Sequence, residues 1–280
     1  MLKIFDEYLY SASALEERID GLITPVEDEK SVRKMLTSVL GVIDLTTLEG
    51  SYTEEKVKAL CRKAAFSKLG KSYPDSAAVC VYPSLVKTAV KELLGTGIHV
   101  ASVAGAFPSG QSSLQVKLEE IRYAIDEGAD EIDTVISRGK LIEGYDNQVF
   151  EELCAMKETC GEIHLKVILE TGELPSVQMI RKASVLAILA GADFIKTSTG
   201  KIAVGATPVA FLVMLDTIRE YLEKTGKSIG IKPAGGIRTT EQALVYSGLL
   251  TGILGEQWFC KEYFRIGASS LADEILKTLA

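Results

Sequence analysis

The stretch Ala192-Asp193-Phe194-Ile195-Lys196-Thr197-Ser198-Thr199-Gly200-Lys201 joins a short apolar run to a polar turn that contains glycine. We predict a buried strand over Phe194–Ser198, in which alternate residues face opposite sides. Lys196 lies in the middle of that strand, where a cation is costly to bury and where burial would lower the pKa of its amine. A neutral amine is a nucleophile, so Lys196 is a candidate catalytic residue unless it reaches solvent at a strand end.

The same pattern of apolar run, turn and amphipathic helix occurs repeatedly along the chain. The predicted strands are Val42–Leu48, Ala77–Tyr82, His99–Ala104, Glu131–Ile136, His164–Leu169, Phe194–Ser198, Ser228–Pro233 and Tyr263–Gly267. The helices predicted after them are Thr53–Leu69, Ser84–Leu94, Ser112–Glu127, Asn147–Cys160, Pro175–Ala190, Pro208–Lys224, Thr239–Leu250 and Ser269–Leu279. Strands that are almost continuously apolar and alternate with helices are typical of a parallel sheet covered by helices, and eight such units can close into a barrel.

We therefore predict an α/β fold, a (β/α)8 TIM barrel over residues 41–280 with an N-terminal helical extension over residues 1–40. The extension has apolar residues at helical spacing, is broken at Thr24-Pro25, and is expected to pack on, or plug, one end of the barrel. The alternative is an open doubly wound sheet. That fold would carry a Gly-x-Gly-x-x-Gly turn after its first strand, and Leu45–Gly50 does not match this pattern.

Composition excludes several functional classes. The chain has 280 residues, 47% of them hydrophobic, and a net charge of −7 without a long run of lysine and arginine, which argues against nucleic-acid binding. We expect no membrane span and no signal peptide, and five cysteines without paired spacing indicate reduced thiols in the cytoplasm. His99 and His164 are the two histidines, and neither has metal-ligand spacing. We therefore expect no metal site.

Strand parity predicts charged side chains inside the barrel, because the apolar faces can pack under the helices. The residues assigned to the interior are Asp44, Asp133, Lys166, Glu170, Lys196 and Lys232. Three acids and three bases balance, and Lys166 and Glu170 are candidates to pair with each other. The group is either a buried salt-bridge network or a catalytic cluster in which burial and neighbouring charges tune pKa values. A second cation near Lys196 would favour its neutral form, which an unperturbed lysine adopts only about once in a few thousand at pH 7.

Two glycine-containing turns follow the seventh and eighth predicted strands, where barrels commonly hold phosphate. Glycine lets backbone N–H groups approach an anion, and serines at the start of the last helix add its N-terminal dipole. Residues after the sixth strand could add a hydroxyl and a countercharge. The predicted phosphate contacts are Thr199, Lys201, Gly235, Gly236, Gly267, Ser269 and Ser270. The expected ligand is a small phosphorylated metabolite.

Several segments together resemble the deoxyribose-phosphate aldolase family of class I aldolases. They are Val42–Leu48, Val79–Pro83, Ala129–Asp133, Leu165–Leu174, Ala192–Lys201, Ile231–Arg238 and Phe264–Leu271. The resemblance covers residues 42 to 272, and the pair Phe-Ile-Lys-Thr-Ser-Thr-Gly-Lys and Lys-Pro-Ala-Gly-Gly is highly specific to the family.

The resemblance implies a role for each matching residue. Lys196 would form a Schiff base, Lys232 would perturb its pKa, and Asp133 would shuttle protons. Asp44 would order the hydrogen bonds around Lys232 and the substrate, Thr46 and Cys80 would line the pocket, and the turn residues named above would hold the phosphate.

The implied activity is reversible cleavage of 2-deoxy-D-ribose 5-phosphate to D-glyceraldehyde 3-phosphate and acetaldehyde, in deoxyribonucleotide catabolism and without a cofactor. A homodimer is the expected assembly. The alternatives are another Schiff-base barrel lyase or transaldolase acting on a phosphorylated sugar, a non-covalent sugar-phosphate isomerase, and an inactive barrel with a binding role. Of these readings, the aldolase is the one that requires Lys196 and Lys232 together.

Overall fold

Eight parallel strands form the centre of the computed structural model, which describes residues 4–23, 28–70 and 72–280. The strands are β1 (Ile43–Thr46), β2 (Ala78–Val81), β3 (His99–Ala104), β4 (Glu131–Val135), β5 (His164–Ile168), β6 (Phe194–Lys196), β7 (Gly230–Lys232) and β8 (Ile266–Ala268). Consecutive strands from β1 to β7 are neighbours in the sheet, and β8 pairs with β1.

The sheet closes between β7 and β8. The backbone N–H of Ile231 donates to Tyr263 O at 2.8 Å, and that of Arg265 donates to Ile231 O at 3.1 Å. Farther along, the N–H of Gly267 donates to Pro233 O at 2.9 Å. These bonds complete a ring of parallel strands, so the predicted (β/α)8 barrel is confirmed and the open doubly wound alternative is wrong.

Helices surround this ring. They are α1 (Ala12–Leu22), α2 (Glu29–Leu40), α3 (Glu54–Ala64), α4 (Val86–Leu93), α5 (Leu114–Asp126), α6 (Arg138–Ile142), α7 (Asp146–Cys160), α8 (Val177–Leu189), α9 (Pro208–Thr225), α10 (Thr240–Leu254) and α11 (Leu271–Leu279). Local chemistry sets their starts: Thr207 caps α9 ahead of Pro208, and Thr239 with Gln242 forms a capping box at α10. The short α6 was not predicted.

The two N-terminal helices lie against the last helices of the ring. Helix α1 packs on α9 and α10, and α2 packs on α10 and α11. Arg18 of α1 donates two hydrogen bonds to the Asp216 carboxylate of α9, at 2.7 and 3.0 Å. The contacts of the extension are therefore with the outer helices. The division at residue 40 stays a prediction, and the predicted break at Thr24-Pro25 lies outside the described residues.

Of the eight strands, β3 has the predicted bounds, and the other seven begin or end one to three residues away from theirs. Strand β6 ends at Lys196 instead of Ser198, because the Thr197 side chain bonds to the next turn: its hydroxyl donates to Ala234 O at 3.1 Å and accepts from Ala234 N at 3.0 Å. Strand β8 begins at Ile266, three residues later than predicted. Within the described ranges, no helix combines the length and apolarity needed to cross a membrane.

The apolar residues form two separate cores. The large core lies between strands and helices and includes outward-facing residues such as Leu45, Val167 and Ile195. A small core of Leu48, Ala78, Cys80, Ala101 and Val103 fills only the β1–β3 side of the barrel interior. Charged side chains fill much of the remaining interior, where barrels usually hold branched apolar residues.

Candidate functional site

Charged side chains meet inside the barrel, on the side that the small apolar core leaves open. The interior cluster consists of Asp44, Glu131, Asp133, Lys166, Lys196, Lys232 and Arg265, each at most 3% exposed. Five of these were predicted. Glu131 and Arg265 were missed, although each shares strand parity with a predicted interior residue or a pocket glycine. Strand parity, applied to every charged residue, would therefore have assigned both to the barrel interior.

Asp133 lies at the centre of the cluster. Its Oδ2 accepts from Lys196 Nζ at 2.7 Å and from Lys232 Nζ at 2.8 Å, and its Oδ1 accepts from Lys166 Nζ at 2.8 Å. Strand register produces this convergence, because Lys196 is directly opposite Lys232 and Asp133 is directly opposite Lys166. One carboxylate thus joins the amine of Lys196 to two other lysines.

A second layer of ion pairs lies below Asp133, toward the N-terminal ends of the strands. Asp44 places Oδ2 2.5 Å from Lys232 Nζ and Oδ1 2.7 Å from the Arg265 guanidinium. Glu131 contacts Arg265 at 2.7 Å and Lys166 Nζ at 2.5 Å. Asp44 and Glu131 therefore tie Arg265 to both of the lysines that share Asp133 with Lys196.

Burial and the neighbouring charges shift the pKa values of the two lysines in opposite directions, down for Lys196 and up for Lys232. Burial lowers the pKa of Lys196 below its ordinary value, and the charge of Lys232 adds to this, although Asp133 opposes it. Burial acts the same way on Lys232, but Asp133 and Asp44 outweigh it and raise the pKa of Lys232. Burial alone would raise the pKa of Asp133, yet Lys166, Lys196 and Lys232 hold it well below its usual range. The arrangement lets Lys196 lose its proton more readily than Lys232 does, and it keeps Asp133 ionised.

Glu170 is buried but does not join the interior cluster, and its predicted pairing with Lys166 is wrong. Its carboxylate accepts from the backbone N–H of Thr199 at 3.1 Å and from the Thr199 hydroxyl at 2.5 Å. Its φ of 53° lies in the left-handed region that a residue with a side chain rarely adopts, which is a strained arrangement of the kind found at functional sites. Burial raises the pKa of Glu170. This residue holds the turn after β6 in place.

A cavity of about 210 Å³ opens above Lys196 at the carboxyl ends of the strands. The predicted residues among its lining are Thr46, Lys196, Thr199, Lys201, Gly235, Gly236, Gly267 and Ser269. Asp44, Asp133 and Lys232 lie beneath Lys196 in the interior cluster. The structure therefore brings the candidate nucleophile and most of the predicted phosphate residues to one cavity.

Two predicted pocket residues do not line the cavity. Cys80 is fully buried in the small apolar core, where burial raises the pKa of its thiol to about 11. Ser270 is exposed at the start of α11, and its side chain makes no capping hydrogen bond. Its carbonyl, not its hydroxyl, accepts from Asp273 N and Glu274 N. Ser269 alone of the two serines lines the cavity.

The glycines of the rim are required by close approach of the backbone. Gly235 has a φ of +84°, and a Cβ there would lie 3.1 Å from Gly205 Cα and 3.2 Å from Gly200 Cα. A Cβ on Gly267 would lie 2.8 Å from Ala234 Cβ and 3.1 Å from Lys232 Cε. Only glycine lets the turns after β6, β7 and β8 pack together over the interior cluster.

Two charged residues of the rim were missed. Glu49 and Arg238 both line the cavity, and Glu49 Oε1 lies 2.8 Å from Lys201 Nζ. The predicted countercharge for phosphate is therefore paired with a carboxylate across the opening. Among the described residues, no three His, Cys, Asp or Glu side chains are grouped so that they could hold a metal ion.

The chain is similar to known aldolases over most of its length. The family model described as DeoC/LacD family aldolase matches residues 38–252. Deoxyribose-phosphate aldolase of Mus musculus is 45% identical over 266 residues, covering 89% of this chain and 84% of that protein. The Homo sapiens protein of the same name is 45% identical over 251 residues, covering 86% and 79%. The deoxyribose phosphate aldolase of Aeropyrum pernix, solved as a tetramer, superposes with a TM-score of 0.68 at 26% identity over 90% of this chain and 97% of that one.

Proposed function

This chain belongs to the DeoC/LacD family of aldolases, and we propose that it is a deoxyribose-phosphate aldolase. The reaction is reversible cleavage of 2-deoxy-D-ribose 5-phosphate to D-glyceraldehyde 3-phosphate and acetaldehyde, within deoxyribonucleotide catabolism. The observation that carries the proposal is the position of Lys196, whose amine contacts Asp133 at the base of a cavity with an anion-binding rim.

Lys196 supplies the nucleophile. Its neutral amine attacks the C1 aldehyde, and the resulting carbinolamine loses water to form an iminium ion. The iminium withdraws electrons from the C2–C3 bond, so that loss of the C3 hydroxyl proton breaks this bond and releases D-glyceraldehyde 3-phosphate. The remaining enamine takes a proton at C2, and hydrolysis of the iminium releases acetaldehyde and restores the amine.

Asp133 and Lys232 move the protons of this sequence. The ionised carboxylate of Asp133 contacts the nucleophile directly, and Lys232 shares the same oxygen. A water molecule between these groups and the substrate would carry protons to and from C2 and the C3 oxygen. Asp44 keeps Lys232 oriented and charged from below.

The rim holds the phosphate away from the reacting carbons. The left-handed Gly235 and Gly236 lie beside the turn that carries Thr199 and Lys201, with Ser269 across the opening. Binding energy at this remote group orients C1 toward Lys196.

The five free cysteines support placement in the cytoplasm, and a homodimer stays our expectation for the assembly.

Trapping with borohydride tests the proposal. Incubation with 2-deoxy-D-ribose 5-phosphate and sodium borohydride should leave a reduced, substrate-derived adduct on Lys196, identified by peptide mass spectrometry. Lys196→Met should yield no adduct and no cleavage, whereas a surface control, Lys227→Met, should behave as the unchanged protein does. Cleavage without an adduct would instead indicate a non-covalent mechanism, and an absence of cleavage with this sugar would favour another phosphorylated carbonyl substrate.

A further inference from the structure

The interior cluster has an uneven number of acids and bases. It holds three carboxylates, from Asp44, Glu131 and Asp133, against four basic side chains, from Lys166, Lys196, Lys232 and Arg265. If every group is ionised, the cluster carries one surplus positive charge in a region closed to solvent. It is electrically neutral only when one of the four bases has lost its proton.

The contacts decide which base that is. Lys232 contacts two carboxylates, and Arg265 contacts Asp44 and Glu131. Lys166 contacts Glu131 at 2.5 Å and Asp133 at 2.8 Å. Lys196 contacts Asp133 alone, and it shares the accepting oxygen with Lys232. The base with the fewest carboxylate contacts is also the one that faces the cavity.

Arg265 is the member that makes the count uneven. Its guanidinium is 2% exposed and lies 5.7 Å from the centroid of the Phe194 ring, at the end of the barrel opposite the cavity. An arginine keeps its charge at any pH at which proteins fold. Without it, three acids would face three lysines, and Lys196 would be needed as a cation to balance them.

We propose that Arg265 and Glu131 are positioning residues that act through the interior cluster: Arg265 supplies the fixed charge that leaves Lys196 as the neutral member, and Glu131 opposes it. The proposal rests on the proposed function of Lys196 as the nucleophile. Neither residue lines the cavity. Both act through the carboxylates and lysines that lie between them and Lys196.

Other titratable groups lie near Lys196 and could contribute to its response to pH. They are Asp133 on β4, Lys232 on β7 and Cys80 on β2, with Asp44 and Lys166 behind them and His99, whose Nδ1 lies 2.7 Å from Glu131 Oε1. Since the pKa of Lys196 is lowered while those of Lys166, Lys232 and Arg265 are raised, the direction agrees with the charge count.

The test measures the protonation of Lys196 without any sugar. The intact protein is labelled with acetic anhydride across a range of pH, and peptide mass spectrometry compares acetylation of Lys196 with that of the exposed Lys227. Arg265→Gln should raise the pH at which Lys196 becomes reactive by about one unit, a tenfold smaller neutral fraction at a given pH. Glu131→Gln removes a negative charge and should move the midpoint in the opposite direction. Arg265→Lys keeps the charge and should restore the original midpoint.

Opposite shifts in the two glutamine variants support the proposal. A purely structural role would lower the thermal unfolding temperature of Arg265→Gln and leave the labelling midpoint where it was, which would overturn the proposal. If Arg265→Gln fails to fold, Glu131→Gln decides by itself, and an unmoved midpoint there overturns the proposal. The borohydride adduct is measured separately, so a protein that labels as expected but forms no adduct would refute the proposed function and not the charge balance.

Discussion

Lys196 and Lys232 lie directly opposite each other on adjacent parallel strands, and their amines contact the same oxygen of Asp133 at 2.7 and 2.8 Å. They differ in their second partner, because Lys232 also contacts Asp44. This difference separates the two lysines chemically, because the pKa of Lys232 is raised and that of Lys196 is lowered.

Lys232→Leu should lower kcat by about 100-fold or more, because proton transfer through Lys232 is lost and Lys196 no longer has a neighbouring cation. The pH dependence of kcat should also move to higher pH. Leucine fills much of the lysine volume, but Asp44 and Asp133 lose a partner, which costs about 3–5 kcal/mol of the free energy of unfolding. Steady-state kinetics with thermal unfolding checks both effects. A variant with near-normal kcat would contradict the assigned role, and Lys227→Leu is the surface control.

Gly235→Ala should raise KM for the phosphorylated sugar by about tenfold, whereas Gly236→Ala should have a much smaller effect. Both positions have φ near +84°, at 84° and 83°, so both pay the same conformational cost of about 1–2 kcal/mol. Only at Gly235 would the new Cβ press on the backbone of Gly205 and Gly200, while at Gly236 nothing lies within 4 Å. Equal KM values in the two variants would show that the close packing of the turns is not what shapes the phosphate site.

Glu49→Gln should lower KM for the phosphorylated sugar by about two- to fivefold, the range expected for an exposed ion pair. The substitution removes a negative charge from the rim and frees Lys201, which Glu49 contacts at 2.8 Å. The same measurement with 2-deoxy-D-ribose, which has no phosphate, is the control and should show no gain. The benefit should also shrink as salt is added, since the pair is partly exposed.

Thermal stability should fall steeply as the pH drops below about 4, the range in which unfolded carboxylates take up protons. Although burial acts in the opposite direction, Lys232 and Arg265 hold the pKa of Asp44 below its usual value, and Lys166 and Arg265 do so for Glu131. A lowered pKa contributes stability above the unfolded value and loses it as the pH falls through the folded value. The unfolding temperature, measured between pH 2 and 7, checks this. In Glu131→Gln it should fall less steeply as the pH drops, and an equally steep fall in that variant would mean that other carboxylates dominate.

The buried lysines should affect thermal stability at alkaline pH in a different way. Asp133 and Glu131 raise the pKa of Lys166, as Asp133 and Asp44 do for Lys232, in both cases against the effect of burial. A raised pKa contributes stability below the unfolded value, about 10.4, and loses it only as the pH rises through the folded value. The interior cluster should therefore cause no loss of stability between pH 7 and about 10, which the same unfolding series would detect.

Much of this architecture is determined locally by the sequence. The alternation of apolar strands with amphipathic helices specifies the barrel, because each element must bury one face against the next. Strand parity placed Asp44, Asp133, Lys166, Lys196 and Lys232 on the interior face, because the period of two is a property of the extended backbone itself. The glycines of the rim also mark the turns locally, because a residue without a Cβ adopts positive φ at little cost.

The partners of each charge were decided only by the tertiary structure. Parity assigns a residue to a face but not to a neighbour. Lys166 and Glu170 share a face and were therefore predicted to pair, whereas in the folded chain Lys166 pairs with Asp133 and Glu131. Arg265 reaches Asp44 and Glu131, 221 and 134 residues away in sequence, only because β8 closes the ring beside β1. Distances across a closed barrel depend on register and closure, and these decide which charged groups contact Lys196 and its neighbours.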